Sequence, residues 1–192
     1  MDSQSSAGRS SRALDARTVA LTGIMIAVVA AFSIITALLI PIPIAPTGGY
    51  FSFSDIAVLF VGFAFGPVTG LVAGGVGAAL ADLSAGYTQF APITLVAHGL
   101  EGLVAGLIAW RVRGTIGMLL GWLGGSVPMV LGYYLGETIF LQVAPAQALI
   151  EAPFNFLQVV VGGIVGAALT IAVRRAYPPI AQINRPRTWR EM

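Results

Sequence analysis

Asp82, His98, Glu101, Glu137, Asn155 and Gln158 stand inside otherwise apolar stretches of this chain. A charged side chain at membrane depth costs at least about 2.5 kcal/mol on insertion scales, so each such position calls for an explanation. His98 and Glu101 are three residues apart and share a helix face, as do Asn155 and Gln158. An imidazole, carboxylates and amides offer donors and acceptors to the edge of a planar polar heterocycle. In the neighbouring loop segments Tyr50, Phe51, Tyr87 and Phe90 add aromatic faces on which its ring stacks, and Gln89 adds a further amide. Each group also has a structural use. His98–Glu101 can satisfy itself as a pair, Asn155 and Gln158 can bridge helices, and Asp82 can face interfacial water. Asp55 and Glu151 lie beside helix starts and read as caps.

The same inventory argues against most enzymes. One histidine excludes a His-Glu-x-x-His zinc centre, and the absence of cysteine excludes thiolate ligands and disulfides. There is no Walker A loop and no Gly-x-Ser-x-Gly elbow. No metal, cofactor or nucleic-acid partner is expected. Nothing in the chain powers transport by itself.

The elements that must hold these groups are apolar. The 192 residues are 57% hydrophobic and 9% charged, with mean hydropathy +0.88, whereas a soluble domain carries about 25% charged residues. Residues 1–17 read as a disordered cytoplasmic tail, 18–175 as the six-helix membrane domain and 176–192 as a basic cytoplasmic tail. Thr18–Ile40 is long enough to span, and a signal-peptide core would be shorter. After a Pro/Gly/aromatic loop, Ser54–Phe65 predicts a helix too short for a simple span: tilted, half-inserted, or extended through Tyr50–Ser54. Further helices are predicted over Val68–Leu83, Pro92–Trp110, 115–138 and 153–173, with Arg111–Gly114 as a turn and 141–150 as a loop.

Every basic residue is arginine, and none occurs between Arg17 and Arg111 or between Arg113 and Arg174. Six passes with both termini cytoplasmic place all these arginines inside, as the positive-inside rule requires. The expected fold is therefore an all-α integral membrane protein, a compact bundle of six transmembrane helices. Small residues recur at contact spacing: Gly23, Ala27 and Ala31; Gly66, Gly70, Gly74 and Ala78; Gly117, Gly121 and Gly125; Gly162 and Gly166. Most suit internal packing, while the first set lies on a terminal helix where a partner can dock.

Gly49-Tyr-Phe-Ser-Phe-Ser-Asp55, Gly66-Pro67-x-x-Gly70-x-x-x-Gly74, Ala81-Asp82-Leu83-x-x-Gly86-Tyr87, His98-Gly-Leu-Glu101-Gly and Pro153-x-Asn155-x-x-Gln158 together resemble a known pattern. It is that of the substrate-binding S components of energy-coupling factor (ECF) vitamin transporters, closest to their riboflavin and hydroxymethylpyrimidine-type groups. The resemblance covers roughly residues 17–175. It implies capture of a vitamin or precursor near the outer surface of a bacterial or archaeal cytoplasmic membrane. It also implies a membrane coupling (T) subunit and two cytoplasmic ATPase subunits as partners. Docking would use the Ala-x-x-x-Ala stripe of helix one, matched by Ala27 and Ala31 and preceded by Gly23. The single histidine and the lack of tryptophan in the outer loops depart from the thiamin-binding pattern, with Trp110, Trp122 and Trp189 placed towards the cytoplasm. The alternative reading is a self-sufficient proton-coupled secondary transporter using Glu101 or Glu137. An intramembrane enzyme using His98 and Glu101 is the third.

Overall fold

Prolines and glycines set the ends of the helices. Pro67, Pro92 and Pro145 sit in first turns, where a missing N–H leaves no bond unmade. Gly66 (φ 86°) and Gly86 (φ 89°) end helices in conformations that a side chain disfavours. The computed structural model describes residues 16–44 and 47–182. It contains α1 (Ala16–Leu39), α2 (Ser54–Phe65), α3 (Pro67–Ala85), α4 (Ala91–Val112), α5 (Gly114–Leu135) and α6 (Pro145–Ala176). A hairpin of β1 (Pro43–Ile44) and β2 (Gly49–Tyr50) joins α1 to α2, and a π turn, Gly136–Phe140, prolongs α5. Most of the expected tail over residues 1–17, with Arg9 and Arg12, lies outside the described residues, as do Arg185, Arg187, Trp189 and Arg190.

Five helices are long and apolar enough to cross a membrane, and α2 is not. At 1.5 Å per residue α2 reaches about 18 Å, against a hydrocarbon core of about 30 Å. It avoids lipid by standing inside the bundle: all its residues except Phe60 and Ala64 are buried. Residues 50–52 are buried too, so extended chain leads into this helix from the hairpin. Its far end is held by Arg174, whose Nη2 donates to the Phe63 carbonyl at 2.8 Å, a cation at a helix C-terminus. The outer surface of the other helices carries large apolar side chains such as Ile24, Leu38, Ile116, Ile139 and Ile164, as a lipid-facing surface should.

Backbone contact draws α2, α3 and α4 together. A Cβ on Gly70 would stand 2.4 Å from the Gly102 carbonyl oxygen, and one on Gly102 2.4 Å from that of Gly70. Hydrophobic burial does little between helices in lipid, so this close approach supplies the packing.

Several expected boundaries move. Helix six begins at Pro145 rather than 153, and the loop before it shrinks to residues 141–144. Pro153 lies inside the helix, because neighbouring helices and short-range adjustments tolerate an interior proline in a packed membrane helix. The Arg111–Gly114 turn reduces to Arg113, in a positive-φ conformation (60°) between α4 and α5. The fold also runs past residue 175: Pro178–Gln182 forms a 3₁₀ turn, and Ile180 packs into the cluster of Met25, Val29, Val58 and Phe65. Trp122, in the half of α5 nearer Arg113, donates Nε1–H to the Val159 carbonyl of α6 at 2.6 Å.

Candidate functional site

At the loop-rich end, the hairpin folds inward over α3–α6. Its register pairs Pro43 with Tyr50 and Ile44 with Gly49, and Phe51 N–H donates to the Ile42 carbonyl at 2.8 Å. This turns Tyr50 and Ser52 towards a small polar pocket. Its lining is Gly49, Tyr50, Ser52, Asp82, Phe90, Tyr133, Glu151, Asn155 and Gln158, around a cavity of about 10 Å³. That is roughly the room one ordered water needs. An apolar crevice of about 330 Å³ also opens between α4 and α5, but its lining of Pro92, Ile93, Val96, Ala97, Gly132, Gly136 and Phe140 offers no polar side chain.

Hydrogen bonds tie the pocket wall together. Tyr50 O–H donates to Asp82 Oδ1 at 2.8 Å, and Thr94 O–H to Asp82 Oδ2 at 2.5 Å. Burial, then the adjacent Asp82 carboxylate, push the Tyr50 phenol above its ordinary range, so it stays a donor. Its ring stacks on Tyr87, centroids 4.2 Å apart. On α6, Gln158 Nε2 donates to Asn155 Oδ1 at 2.7 Å, while Gln158 Oε1 accepts the Ser52 N–H at 2.6 Å. Thr47 O–H donates to Glu151, which fastens the hairpin turn to α6.

A further chain of groups leads inward along α4. Thr94 Oγ1 and Tyr133 O–H are 2.6 Å apart, and Tyr133 O–H lies 3.5 Å from His98 Nδ1. His98 Nε2 in turn faces Asp55 Oδ2 at 3.7 Å. Glu101 and Glu137 are fully buried, and neither carboxyl has a hydrogen-bond partner among the described groups. Glu137 sits on the π turn and approaches Glu151, and Glu101 approaches Asp55. Irregular turns of this kind often occur at functional sites.

This geometry can be set beside known proteins. The family model described as "ECF-type riboflavin transporter, S component" matches residues 13–175. The chain belongs to that S-component family. It is 38% identical over 151 residues to an uncharacterized protein encoded in the gap 3′ region of Pyrococcus woesei, covering 77% of this chain and 98% of that one. It is 28% identical over 135 residues to the thiamine precursor transporter HmpT of Lactococcus lactis subsp. cremoris (strain MG1363), covering 70% of this chain and 75% of that one. A solved S component of a bacterial ECF transporter superposes with a TM-score of 0.57 at 21% identity, over 87% of this chain and 99% of that one. The family and fold are those of membrane transport components, not of enzymes.

Within this S component, Tyr50, Asp82, Asn155 and Gln158 meet at the pocket as the sequence suggests. Tyr87 backs Tyr50 from outside the lining, and Phe51 is buried against Phe53 instead. Gln89 is exposed and does not reach the pocket. His98 and Glu101 lie in a second compartment and do not pair with each other alone, since Asp55 joins them. Asp82 is buried and doubly hydrogen-bonded rather than facing interfacial water. Asn155 and Gln158 bond to each other on one helix, and the bridge from Gln158 runs to the loop.

Two cap assignments fail. Asp55 makes no capping bond on α2, and Glu151 lies within α6, lining the pocket. Tyr133, Ser52 and Thr94 escape the sequence reading. The one available signal was Tyr133, four residues before Glu137 and hence on its face. On α1, Gly23, Ala27 and Ala31 are all exposed, while Met25, Val29 and Ser33 on the other side are buried.

Proposed function

We propose that this S component captures a small heterocyclic vitamin or vitamin precursor from outside the cell, as the binding subunit of an ATP-driven importer. The observation that carries the reading is the polar pocket under the hairpin. Tyr50, Tyr133 and Phe90 supply aromatic surface, while Asp82, Glu151, Asn155 and Gln158 supply donors and acceptors. A riboflavin- or hydroxymethylpyrimidine-type ring fits that chemistry. Tyr87 backs the Tyr50 ring, Phe51 packs behind it on Phe53, Gln89 stays at the surface beside Phe90, and His98, Glu101 and Glu137 support the walls. Such a ring needs far more than the present cavity, so the hairpin moves to admit it. A membrane T subunit and two cytoplasmic ATPase subunits supply the energy, with Gly23, Ala27 and Ala31 as the docking stripe.

The decisive experiment is mass spectrometry of small molecules that co-purify with the chain in detergent, followed by titration of the compound found. Tight binding without any ATPase is expected. Losing one buried partner costs about 1–3 kcal/mol, so Asn155→Ala or Gln158→Ala weakens binding about 5- to 150-fold. Unchanged affinity in both variants would make these amides structural.

Both termini and Arg113 lie on the cytoplasmic side of a bacterial or archaeal membrane, since that orientation collects every arginine inside. An impermeant maleimide on intact cells should label Thr88→Cys and spare Thr115→Cys; the native chain has no thiol to interfere. The reverse pattern would invert the topology.

The second reading is a self-sufficient proton-coupled transporter, favoured by the buried carboxyls of Glu101 and Glu137, to which no group among the described residues donates a hydrogen bond. It requires uptake in cells lacking the ATPase module, abolished by an uncoupler and by Glu101→Gln or Glu137→Gln.

A further inference from the structure

Asp55, His98 and Glu101 form a compartment inward of the pocket and do not line it. One ligand atom from each lies within 4.8 Å of the other two. The side chains are 0%, 1% and 0% exposed. Among the described residues, no protein group donates a hydrogen bond to either carboxylate or to Nε2 of His98. Glycine backbone closes the walls: a Cβ on Gly162 would stand 2.4 Å from Asp55 Cβ, and one on Gly125 3.4 Å from Glu101 Cγ.

The hydrogen-bond chain above fixes how the imidazole faces this space. Thr94 gives its one hydroxyl proton to Asp82, so Tyr133 gives its own to Thr94. The Tyr133 oxygen, 3.5 Å from Nδ1, is then free to accept from His98, an arrangement that favours the Nδ1–H tautomer of a neutral ring. Nε2 therefore turns a lone pair towards two acidic groups. Among the described residues, His98–Asp55 is the only acid–base contact within 4 Å. No arginine lies between Arg17 and Arg111 or between Arg113 and Arg174, and Arg174 is engaged at the Phe63 carbonyl. Among the described residues, three electron-rich groups converge with no cationic side chain between them, an arrangement whose burial is costly.

We propose that Asp55, His98 and Glu101 hold a first-row divalent cation of the zinc, manganese, cobalt or nickel type. One imidazole with two carboxylates suits these ions better than magnesium or calcium, which favour oxygen ligands alone. Bonds of about 2.0–2.2 Å to one ion put its ligand atoms roughly 3–4 Å apart. The His98–Asp55 distance of 3.7 Å already meets this, and the remaining separations close by small carboxylate torsions. Tyr133 on Nδ1 is then the outer partner that fixes the ring, as metal-bound histidines require. The ion braces α2 against α4, and this assignment does not depend on which solute the pocket takes. Sequence hides the site because Asp55, at a helix start, reads as a cap.

The test is metal analysis of the full chain, purified in detergent through a histidine-free tag from medium supplemented with these ions. Roughly one ion per chain is expected, falling at least about tenfold in His98→Gln and Glu101→Gln. Chelation should lower the melting temperature of the native chain, and the matching ion should restore it. Should the variants not fold, Co²⁺ added to the stripped native chain decides through its visible ligand-field bands. A native chain that carries no such ion, gains no stability from one and shows no Co²⁺ bands overturns the assignment. So does a metal content unchanged in both variants, which would place the ion elsewhere.

Discussion

Ala27→Trp and Ala31→Trp should each leave ligand affinity intact and cut ATP-dependent uptake to background. The expectation rests on the two faces of α1. Met25 and Val29 are buried, and Val29 packs so closely on α3 that a Cβ at Gly77 would come within 2.7 Å of its own. Ala27 and Ala31 point away from that contact, and a Cβ at Gly23 would meet nothing within 4 Å. The three make a shallow groove where another helix backbone can approach, the main source of helix affinity in lipid. An indole there fills the groove without touching the bundle, and no pocket residue belongs to α1. A loss of uptake of at least about tenfold corresponds to about 1.4 kcal/mol of docking energy. Titration of the isolated subunit, pull-down of the coupling subunit and uptake in cells should be read together. Normal uptake in both variants would remove the groove as the docking surface. Uptake without any ATPase module would favour the self-sufficient transporter.

The bundle was legible because membrane physics writes broad signals. Apolar runs, small-residue stripes and segregated arginines each span many residues, and errors at single positions average out. The pocket was legible where polarity stood out against an apolar run, as at Asp82, Asn155 and Gln158. It was obscure where a residue type has a common local use. Pro153 looks like a helix opener, and that reading pushed Glu151 into a loop, whereas α6 starts at Pro145 and carries Glu151 into the pocket. Asp55 looks like a cap for α2, yet the helix is buried on nearly every side and its carboxylate faces His98. Tyr133 and Thr94 look like ordinary members of an apolar helix, and only the third dimension joins them to Asp82. Gln89 misled in the opposite sense, since its neighbour Phe90 turns inward while it remains exposed.

Tethering the hairpin to α6 should abolish ligand entry, reversibly. The cavity of about 10 Å³ admits no heterocycle while the hairpin stays in place. Burial of Ile44 and Tyr50 and the Tyr50–Tyr87 stack seat it, and among the described residues three side-chain attachments fasten it: Thr47 to Glu151, Tyr50 to Asp82, and the Ser52 N–H to Gln158. Each is a single hydrogen bond, and such bonds contribute about 0.5–1.5 kcal/mol net, or about 1.5–3 where a partner is charged. Opening of the hairpin breaks these bonds, uncovers Ile44 and Tyr50, and exposes the face that carries Asn155 and Gln158. In Thr47→Cys/Glu151→Cys, a short reducible bis-thiol reagent would replace the outermost of these bonds with a covalent bridge. The chain has no cysteine of its own, so only this pair reacts. Association with the compound identified by mass spectrometry should slow at least about 100-fold in the bridged protein, an added barrier of about 2.7 kcal/mol. Reductant should restore the rate of the unbridged variant. Both measurements use one protein, so the loss of the Glu151 carboxyl cancels between them. Equal association rates with and without the bridge would mean that the ligand reaches α6 by a route that leaves the hairpin closed. The lateral α4–α5 crevice would then be the place to look.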